Sequence, residues 1–293
     1  MEESKQQNKR QGPLAMSKQS NSVVVHNTVK QHGKRLYSPL ARVPEQKDKP
    51  RQEYARPYVI GICGGPSSGK STVVEIIKEK LPSAVVLNLM NFYKPLRGNL
   101  RRVSRSDSIV EEDKDEEQIK TEIRQVYKQN DFDSPDAIDW VLLNKGVQQL
   151  KSWNPFNKPI YDDETMIRTA KTDHIKPSSV IIIEGHLIFC NEDLMKKMDL
   201  KVFIDTDDDV RLSRKVLKIA RKHPNDRTYL TDFLSKYENF VKPSYEKFIE
   251  PTKKYADLIL PNYGFSTEVL DYDSMHIPAI DLIWKRVISE HTV

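Results

Sequence analysis

The sequence predicts an α/β fold of the three-layer P-loop NTPase type, with helices on both faces of a central parallel sheet. Short apolar segments of strand length alternate along the chain with segments of helical periodicity. The strongest of them, Ser179–Glu184, is apolar at consecutive positions, as expected for a strand buried on both faces. A glycine-rich loop with the spacing of a phosphate-binding loop joins the first predicted strand to the first predicted helix.

Charge and composition divide the chain into two parts. Residues 1–56 are rich in Gln, Asn, Ser and Lys and poor in apolar residues, so we expect a disordered tail. Up to Pro57 the chain has twelve Lys and Arg against five Asp and Glu, so the tail accounts for the net charge of +5. The predicted domain, residues 57–293, is then slightly acidic, and we do not expect it to bind nucleic acid.

Several other classes of protein are not expected. No apolar run approaches the ~20 residues of a membrane span, and the polar N-terminus is unlike a secretory signal. The two cysteines, Cys63 and Cys190, suggest core residues rather than a disulfide framework, which fits a reducing compartment. We expect a cytoplasmic protein, with the nucleus as the alternative.

The phosphate-binding loop is the most specific local motif. A strand predicted at Tyr58–Cys63 leads into Gly64-x-x-x-x-Gly69-Lys70-Ser71, and a helix is predicted over Ser71–Leu81. The glycines allow backbone N–H groups to surround a polyphosphate, and the helix N-terminus adds unpaired donors. Lys70 is expected to reach the β- and γ-phosphates and Ser71 to hold Mg²⁺, which predicts ATP or GTP as the nucleotide. The predicted nucleotide-binding residues are Gly64, Gly65, Pro66, Ser67, Ser68, Gly69, Lys70, Ser71 and Thr72.

The next strand, predicted at Ala84–Leu89, is followed by Asn91 and Tyr93. Ligands bind at the carboxyl ends of strands in doubly wound sheets, so both residues are expected at the site. The segment 97–130 is first basic and then acidic. It is predicted to be a surface insertion that passes into a solvated helix over residues 116–128, with a substrate lid as the alternative.

A helix is predicted to begin at Ser134, which would cap it, with Pro135 in the first turn, and to continue to Lys151. Its predicted inward residues are Ile138, Val141, Leu142, Val147 and Leu150. Two short alternating segments, Lys158–Asp162 and Met166–Thr169, then predict a hairpin over the site.

Glu184 ends the central strand where a Walker B acid would orient Mg²⁺, with a helix-capping role as the alternative. Another central strand is predicted at Leu200–Asp205. The helix predicted at Asp207–Lys222 has one cationic face, which fits either a solvated surface or a phosphate-binding lid. That face consists of Arg211, Arg214, Lys215 and Lys218. The remaining predicted elements are a long helix over Thr228–Glu250 that pauses at Pro243, a strand at Ala256–Leu260, and an amphipathic helix over Ile277–Glu290.

Several segments resemble the uridine kinase (uridine-cytidine kinase) family of P-loop kinases, over about residues 57–262. The matching segments are GGPSSGKST, NFYKP, FDSPDAID, PIYD, VIIIEGHLIF, FIDTDDDVRLSRKVLK and FVKPSYEKFIEPTKKYADLILP. The resemblance implies a nucleoside/nucleotide-kinase-like fold and phosphate transfer from ATP to the 5′-hydroxyl of uridine or cytidine. A small nucleoside partner and a homo-oligomer are further implications.

The resemblance also implies roles for matching residues. Asp133 would bind the ribose hydroxyls, and Tyr93 and Tyr161 would frame the nucleoside. The arginines that would serve the lid and the phosphates are Arg211, Arg214 and Arg227. Lys70 would act on the phosphates, and Ser71 and Glu184 would hold Mg²⁺.

The sequence departs from the family where Met90-Asn91-Phe92-Tyr93 replaces Asp-Ser-Phe-Tyr. A methionine therefore stands where the family has the carboxylate that accepts the hydroxyl proton, and a thioether does not accept that proton usefully. Asn91 or Asp133 would then orient the hydroxyl. The family's base-reading His falls near Met166. The alternatives are a catalytically weak or inactive nucleotide-binding pseudokinase with a regulatory or partner-binding role, and a related small-molecule kinase such as a nicotinamide riboside kinase.

Overall fold

The computed structural model describes residues 56–95, 121–162, 167–262 and 281–289, with gaps at 122, 124, 127, 128, 284, 287 and 288. The predicted tail, most of the charged insertion, Met166 and the start of the last predicted helix lie outside these residues. Among the insertion residues that are described, those between 121 and 129 are helical.

Two sheets account for the strands of the described residues. The strands are β1 (Tyr58–Gly64), β2 (Val85–Asn88), β3 (Phe156–Asp162), β4 (Ile167–Ile175), β5 (Val180–Glu184), β6 (Leu200–Asp205) and β7 (Leu258–Pro261). Five of them form a parallel sheet in the order β2-β5-β1-β6-β7, while β3 and β4 form an antiparallel hairpin. The predicted parallel sheet and the predicted hairpin are both confirmed.

Helices cover both faces of the parallel sheet. The described helices include α1 (Lys70–Lys80), α2 (Trp140–Lys151), α3 (Glu192–Met195), α4 (Asp208–Lys222), α5 (Arg227–Lys236) and α6 (Lys242–Ser244). Of these, α1 packs in the core on one face of the sheet, and α2 and α3 pack in the core on the other. Successive residues of β1 face opposite sides, so Ile60 packs in the core with α1 while Val59 packs in the core with α2. Ile283, in the last described helical segment, joins the α1 side. The three-layer α/β prediction is therefore confirmed.

The predicted start of α2 is wrong by several residues. Ser134 accepts a hydrogen bond from the Asp136 backbone, but it caps only a 3₁₀ turn, Pro135–Ala137. Ile138 then becomes extended, is fully buried and forms a bridge with Tyr93. Asp139 is the actual cap of α2, because its side chain accepts a hydrogen bond of 3.0 Å from the Leu142 backbone.

The predicted inward face of α2 also needs correction. Val141 is 82% exposed, whereas Leu143, Val147 and Leu150 are fully buried. These three residues recur at spacings of four and three, and Val141 lies two positions from Leu143, about 200° around the helix axis. The inward face includes Gly146, where a side chain would collide with the ring of Phe156.

The long helix predicted after α4 does not pause at Pro243. It runs from Arg227 to Tyr255 and changes its winding along the way. Beyond α5 it consists of a π turn at Tyr237–Val241, the short α6, a second π turn at Tyr245–Ile249, and a 3₁₀ segment at Glu250–Tyr255. A proline breaks a helix when its missing N–H removes an i→i−4 hydrogen bond. Pro243 instead lies in the first turn of α6, directly after a π turn whose wider winding accommodates the missing donor.

The remaining predicted elements agree with the structure to within about two residues at most ends. The predicted strand at Leu200–Asp205 is identical to β6. Within the described residues, no helix is both long and apolar enough to cross a membrane.

Candidate active site

The loop between β1 and α1 has a backbone that requires glycine at two positions. Gly64 has a φ of 145° and Gly69 a φ of 97°, both in the region that side chains rarely adopt. A side chain at Gly64 would meet the Ile204 carbonyl, and one at Gly69 would collide with the amide of Asn262. The loop is therefore held close to the ends of β6 and β7, with its N–H groups gathered at the start of α1.

Lys70 lies within this loop. Its Nζ donates hydrogen bonds to the carbonyl oxygens of Gly64, at 3.1 Å, and Gly65, at 2.8 Å. Burial lowers the pKa of Lys70, while the nearby Glu184 carboxylate opposes that shift. The Lys70 ammonium group thus lies among the backbone groups of the loop, and its contact with the phosphates stays a prediction.

Ser71 and Glu184 form a pair of hard oxygen donors beside the loop. Ser71 Oγ donates a hydrogen bond of 2.5 Å to Glu184 Oε1, and Asn88 Nδ2 donates one of 3.2 Å to Oε2. Glu184 is only 5% exposed and contacts these side chains, so the structure does not place it as a helix cap. Mg²⁺ prefers such oxygen ligands and keeps several waters or phosphate oxygens, so the pair fits this ion.

Within the described residues, no group of three or more His, Cys, Asp or Glu side chains could hold a metal ion. Mg²⁺ commonly keeps water and phosphate oxygens as ligands, so an ion at Ser71 and Glu184 would complete its coordination with such oxygens.

Two buried polar residues support the loop from the ends of β6 and β7. The Ser68 carbonyl accepts hydrogen bonds from Thr206 Oγ1, at 3.1 Å, and from Asn262 Nδ2, at 2.7 Å. Both donors are at most 3% exposed. Neither residue was predicted from the sequence. Each is a polar residue immediately after a predicted strand or the Pro that follows it, and this is the signal that could have identified them.

Arg211 is a buried neighbour of the loop and not a residue of an open lid. It is 4% exposed, its Nε donates to the Thr206 carbonyl at 3.1 Å, and it forms an ion pair with Asp208. Its guanidinium stacks 3.7 Å from the centre of the Tyr245 ring. A side chain at Gly65 would strike this guanidinium, so the charge lies directly against the loop.

The other two predicted arginines differ in position. Arg214 Nη1 lies 3.4 Å from the Ser67 carbonyl and its Nη2 3.4 Å from the Asn262 carbonyl, so it contacts the outer side of the loop. Arg227 is exposed at the start of α5 and does not belong to the described residues that line the cavity beside the loop.

A cavity of about 250 Å³ opens beside the loop. Its described lining comprises Pro66, Ser67, Met90, Tyr93, Phe132, Asp133, Tyr161, Arg211, Leu212, Lys215, Phe233, Lys236, Tyr237 and Val241. The structure therefore brings the predicted residues Tyr93, Asp133 and Tyr161 together with the loop. The cavity size approaches the lower limit of small-molecule pockets, ~300 Å³.

Aromatic rings form one wall of this cavity. The ring of Tyr93 lies 5.3 Å from that of Tyr161 and 5.5 Å, edge to face, from that of Phe132. Arg168 attaches the hairpin that carries Tyr161, because its Nη2 donates to the Tyr93 carbonyl at 2.7 Å and its Nη1 to Asp139 at 3.1 Å. Rings in this arrangement suit a planar, partly apolar ligand.

Met90 and Asn91 differ in their relation to the cavity. Met90 is 42% exposed and lines the cavity. Asn91 does not line it among the described residues; its Oδ1 instead accepts a weak hydrogen bond of 3.4 Å from the Tyr161 backbone. Asn91 thus contacts the hairpin, and its predicted catalytic role stays a prediction.

Asp133 is the buried carboxylate of the cavity, with 8% exposure. Burial raises its pKa, and the charges of Lys236, Lys215 and Lys70 oppose that shift. His186 Nε2 lies 3.5 Å from Asp133 Oδ1. Asp133 was predicted from the sequence, whereas Lys236 and His186, which approach it from distant parts of the chain, were not.

Lys236 is a buried cation beside Phe132. It is 4% exposed, lies 4.4 Å from the centre of the Phe132 ring and donates to the Asn130 carbonyl at 3.3 Å. Burial lowers its pKa from 10.5 to about 8, although Asp133 and Asp131 oppose the shift.

This pKa predicts a pH-dependent stability difference between the wild type and Lys236→Met. Below pH about 8 the folded protein bears the whole cost of the buried charge. Between about 8 and 10.5 only the unfolded state remains protonated, so the unfolding free energy of the wild type should rise relative to the variant. The total change should be roughly 3 kcal/mol, at about 1.4 kcal/mol per pKa unit.

Urea denaturation at several pH values would measure this difference. The matched control is Lys242→Met, because the Lys242 side chain is 52% exposed on the same helical run and should show no comparable trend. A constant difference for Lys236→Met across this pH range would contradict the lowered pKa.

Comparison with known proteins agrees with this architecture. The model of the phosphoribulokinase / uridine kinase family matches residues 59–267, which include the loop, the Ser71 and Glu184 pair and the described cavity residues. Fold and site define a kinase of the P-loop class. The chain belongs to the phosphoribulokinase / uridine kinase family.

Curated relatives extend the match over most of the chain. The chain is 37% identical over 219 residues to a uridine kinase of Lactiplantibacillus plantarum, covering 75% of this chain and 93% of that protein. It is 33% identical to uridine-cytidine kinase B of Dictyostelium discoideum, covering 75% and 81% of the two chains. Among solved structures, phosphoribulokinase from Rhodobacter spheroides shares the fold at 15% identity, with a TM-score of 0.50 and coverage of 81% and 99%.

Proposed function

We propose that the protein transfers the γ-phosphate of ATP to the 5′-hydroxyl of uridine, and of cytidine, in pyrimidine salvage. The observation that carries the proposal is that one cavity is lined both by the phosphate-binding loop, at Pro66 and Ser67, and by Asp133, Tyr93 and Tyr161. The names of the relatives, uridine kinase and uridine-cytidine kinase, support a nucleoside as the acceptor.

The loop provides the nucleotide half of the proposed site. Its backbone N–H groups, from Gly64 to Thr72, would bind the phosphates of ATP or GTP, and Lys70 would contact the β- and γ-phosphates. Ser71 and Glu184 would hold Mg²⁺, which neutralises phosphate charge when it is bound. Arg211 and Arg214, which contact the loop at Gly65 and Ser67, would add positive charge to this region.

The rest of the cavity provides the acceptor half. The rings of Tyr93, Phe132 and Tyr161 would contact the base or the sugar face, and the Asp133 carboxylate would accept hydrogen bonds from hydroxyl groups. Asn91 and Arg227 lie apart from the described lining and take no direct part in this proposal.

Phosphate transfer requires little covalent chemistry from the protein. Orientation of the hydroxyl toward the γ-phosphate and stabilisation of the phosphoryl charge supply most of the rate enhancement. A site without a carboxylate at Met90 can therefore still turn over, although more slowly than one with a general base.

An assay of the purified protein with ATP, Mg²⁺ and a panel of nucleosides tests the proposal. Uridine and cytidine should stimulate ADP release. The matched control is 5′-deoxyuridine, which lacks the accepting hydroxyl and should give only the background rate. If no nucleoside stimulates ADP release while ATP still binds, the second candidate stands, namely a nucleotide-binding protein without turnover, which the methionine at position 90 favours.

A further inference from the structure

His186 is a mostly buried residue to which the proposed function assigns no role. It follows Glu184 and Gly185 at the carboxyl end of β5, and its side chain is 13% exposed. The Cys63 thiol donates a hydrogen bond of 3.3 Å to its carbonyl oxygen, which fixes the backbone at this point. The chain therefore holds the imidazole in a defined place next to the acceptor cavity.

The imidazole points one nitrogen at Asp133. His186 Nε2 lies 3.5 Å from Asp133 Oδ1, and within the described residues it makes no hydrogen bond. A buried nitrogen without a strong partner destabilises a folded protein, so such groups often indicate a functional role. His186 is not among the described residues that line the cavity, whereas Asp133 is. His186 would therefore influence a ligand indirectly, through its contact with Asp133.

The two facing groups are chemically able to form a hydrogen bond. An imidazole nitrogen donates in one tautomer and accepts in the other, and a carboxyl group accepts when ionised and donates when protonated. At 3.5 Å the two atoms lie just beyond the usual range of a hydrogen bond, so a slight approach of the side chains would give the buried Nε2 a partner.

We propose that His186 is a positioning residue of the acceptor site, whose Nε2 forms a hydrogen bond with the facing Asp133 Oδ1 when the nucleoside is bound. This contact fixes the rotation of the carboxyl group, so that Oδ2 accepts hydrogen bonds from the hydroxyl groups of the nucleoside. The inference rests on the proposed nucleoside kinase activity and adds a residue that acts behind the substrate-binding carboxyl group.

The proposal separates nucleoside binding from nucleotide binding. Loss of the imidazole releases a carboxyl group that contacts only the acceptor, so the KM for uridine should rise while the KM for ATP stays constant. Loss of a hydrogen bond to a buried group supports a change of roughly tenfold. The amide of Gln can donate or accept near the position of Nε2, so it should restore much of the loss.

The first experiment compares His186→Ala with His186→Gln in steady-state kinetics. We expect His186→Ala to raise the KM for uridine about tenfold, with the KM for ATP unchanged and His186→Gln close to the wild type. The control is His174→Ala, because His174 is an exposed residue of β4 that contacts Asn157 away from the cavity. Equal losses for uridine and ATP, or no rescue by Gln, would indicate a purely structural role and overturn the proposal.

A double-mutant cycle tests whether His186 acts through Asp133. In an Asp133→Ala background, His186→Ala should cause little further increase in the KM for uridine. Independent, multiplicative effects would overturn the proposal. If His186→Ala fails to fold, the same cycle with His186→Gln and His186→Leu provides the test.

The proposed kinase activity and the role of His186 can be contradicted separately. A wild type that phosphorylates no nucleoside overturns the proposed function and this inference together. A wild type that phosphorylates uridine, with an unchanged KM in a folded His186→Ala, overturns only the role of His186.

Discussion

Replacing Lys70 with Ala is expected to abolish phosphoryl transfer. The Lys70 ammonium lies among the carbonyl groups of Gly64 and Gly65, inside the loop that would surround the phosphates. Its removal takes away the cation that would balance charge on the β- and γ-phosphates, and loss of one such group commonly costs ~10²–10³ in kcat. We therefore expect ADP release at the background rate and no measurable ATP binding.

Calorimetric titration with ATP and the ADP-release assay would measure both effects. Lys78→Ala is the matched control, because Lys78 is an exposed lysine in the last turn of the same helix. Unchanged ATP affinity in Lys70→Ala would contradict the proposed role of the loop in ATP binding.

Replacing Met90 with Asp is expected to raise uridine phosphorylation at least tenfold. Met90 lines the cavity and is 42% exposed, so the smaller Asp side chain fits without displacing core residues. The backbone N–H of Met90 donates to Asn88 Oδ1 at 2.8 Å, which fixes where the new carboxylate begins. A correctly placed general base typically contributes 10²–10⁴-fold, and about tenfold allows for imperfect placement.

The variant Met90→Asn is the matched control, because it distinguishes an effect of proton transfer from an effect of the smaller side chain at position 90. Its side chain has nearly the size of Asp but does not accept a proton from the hydroxyl, so kcat with uridine should stay near the wild-type value. Equal gains in both variants, or no gain in Met90→Asp, would show that the hydroxyl is activated in another way.

Much of the fold follows from local patterns in the sequence. Consecutive apolar residues identify the central strands, and the predicted limits of β6 are those observed. The limits of α2 were less predictable. Ser134 and Pro135 form a valid local start signal, but the tertiary bridge between Ile138 and Tyr93 interrupts the helix after one turn.

The site residues likewise differ in whether the sequence alone could identify them. The loop is contiguous in sequence, so Lys70 and Ser71 were identifiable from spacing alone. The residues that support the loop, and the residue that contacts the cavity carboxyl group, lie far from these groups in the sequence. Asn262 reaches the Ser68 carbonyl across 194 positions, and His186 approaches Asp133 from a different strand end.

The sequence by itself determined the parallel α/β fold, the phosphate-binding loop and the family resemblance, because these depend on periodicity and on short contiguous motifs. Only the tertiary structure decided that Arg211 is buried against the loop, that Asn91 supports the hairpin, and that His186 faces Asp133. Burial and side-chain contacts between distant segments depend on how strands and helices pack in three dimensions, and no local pattern encodes them.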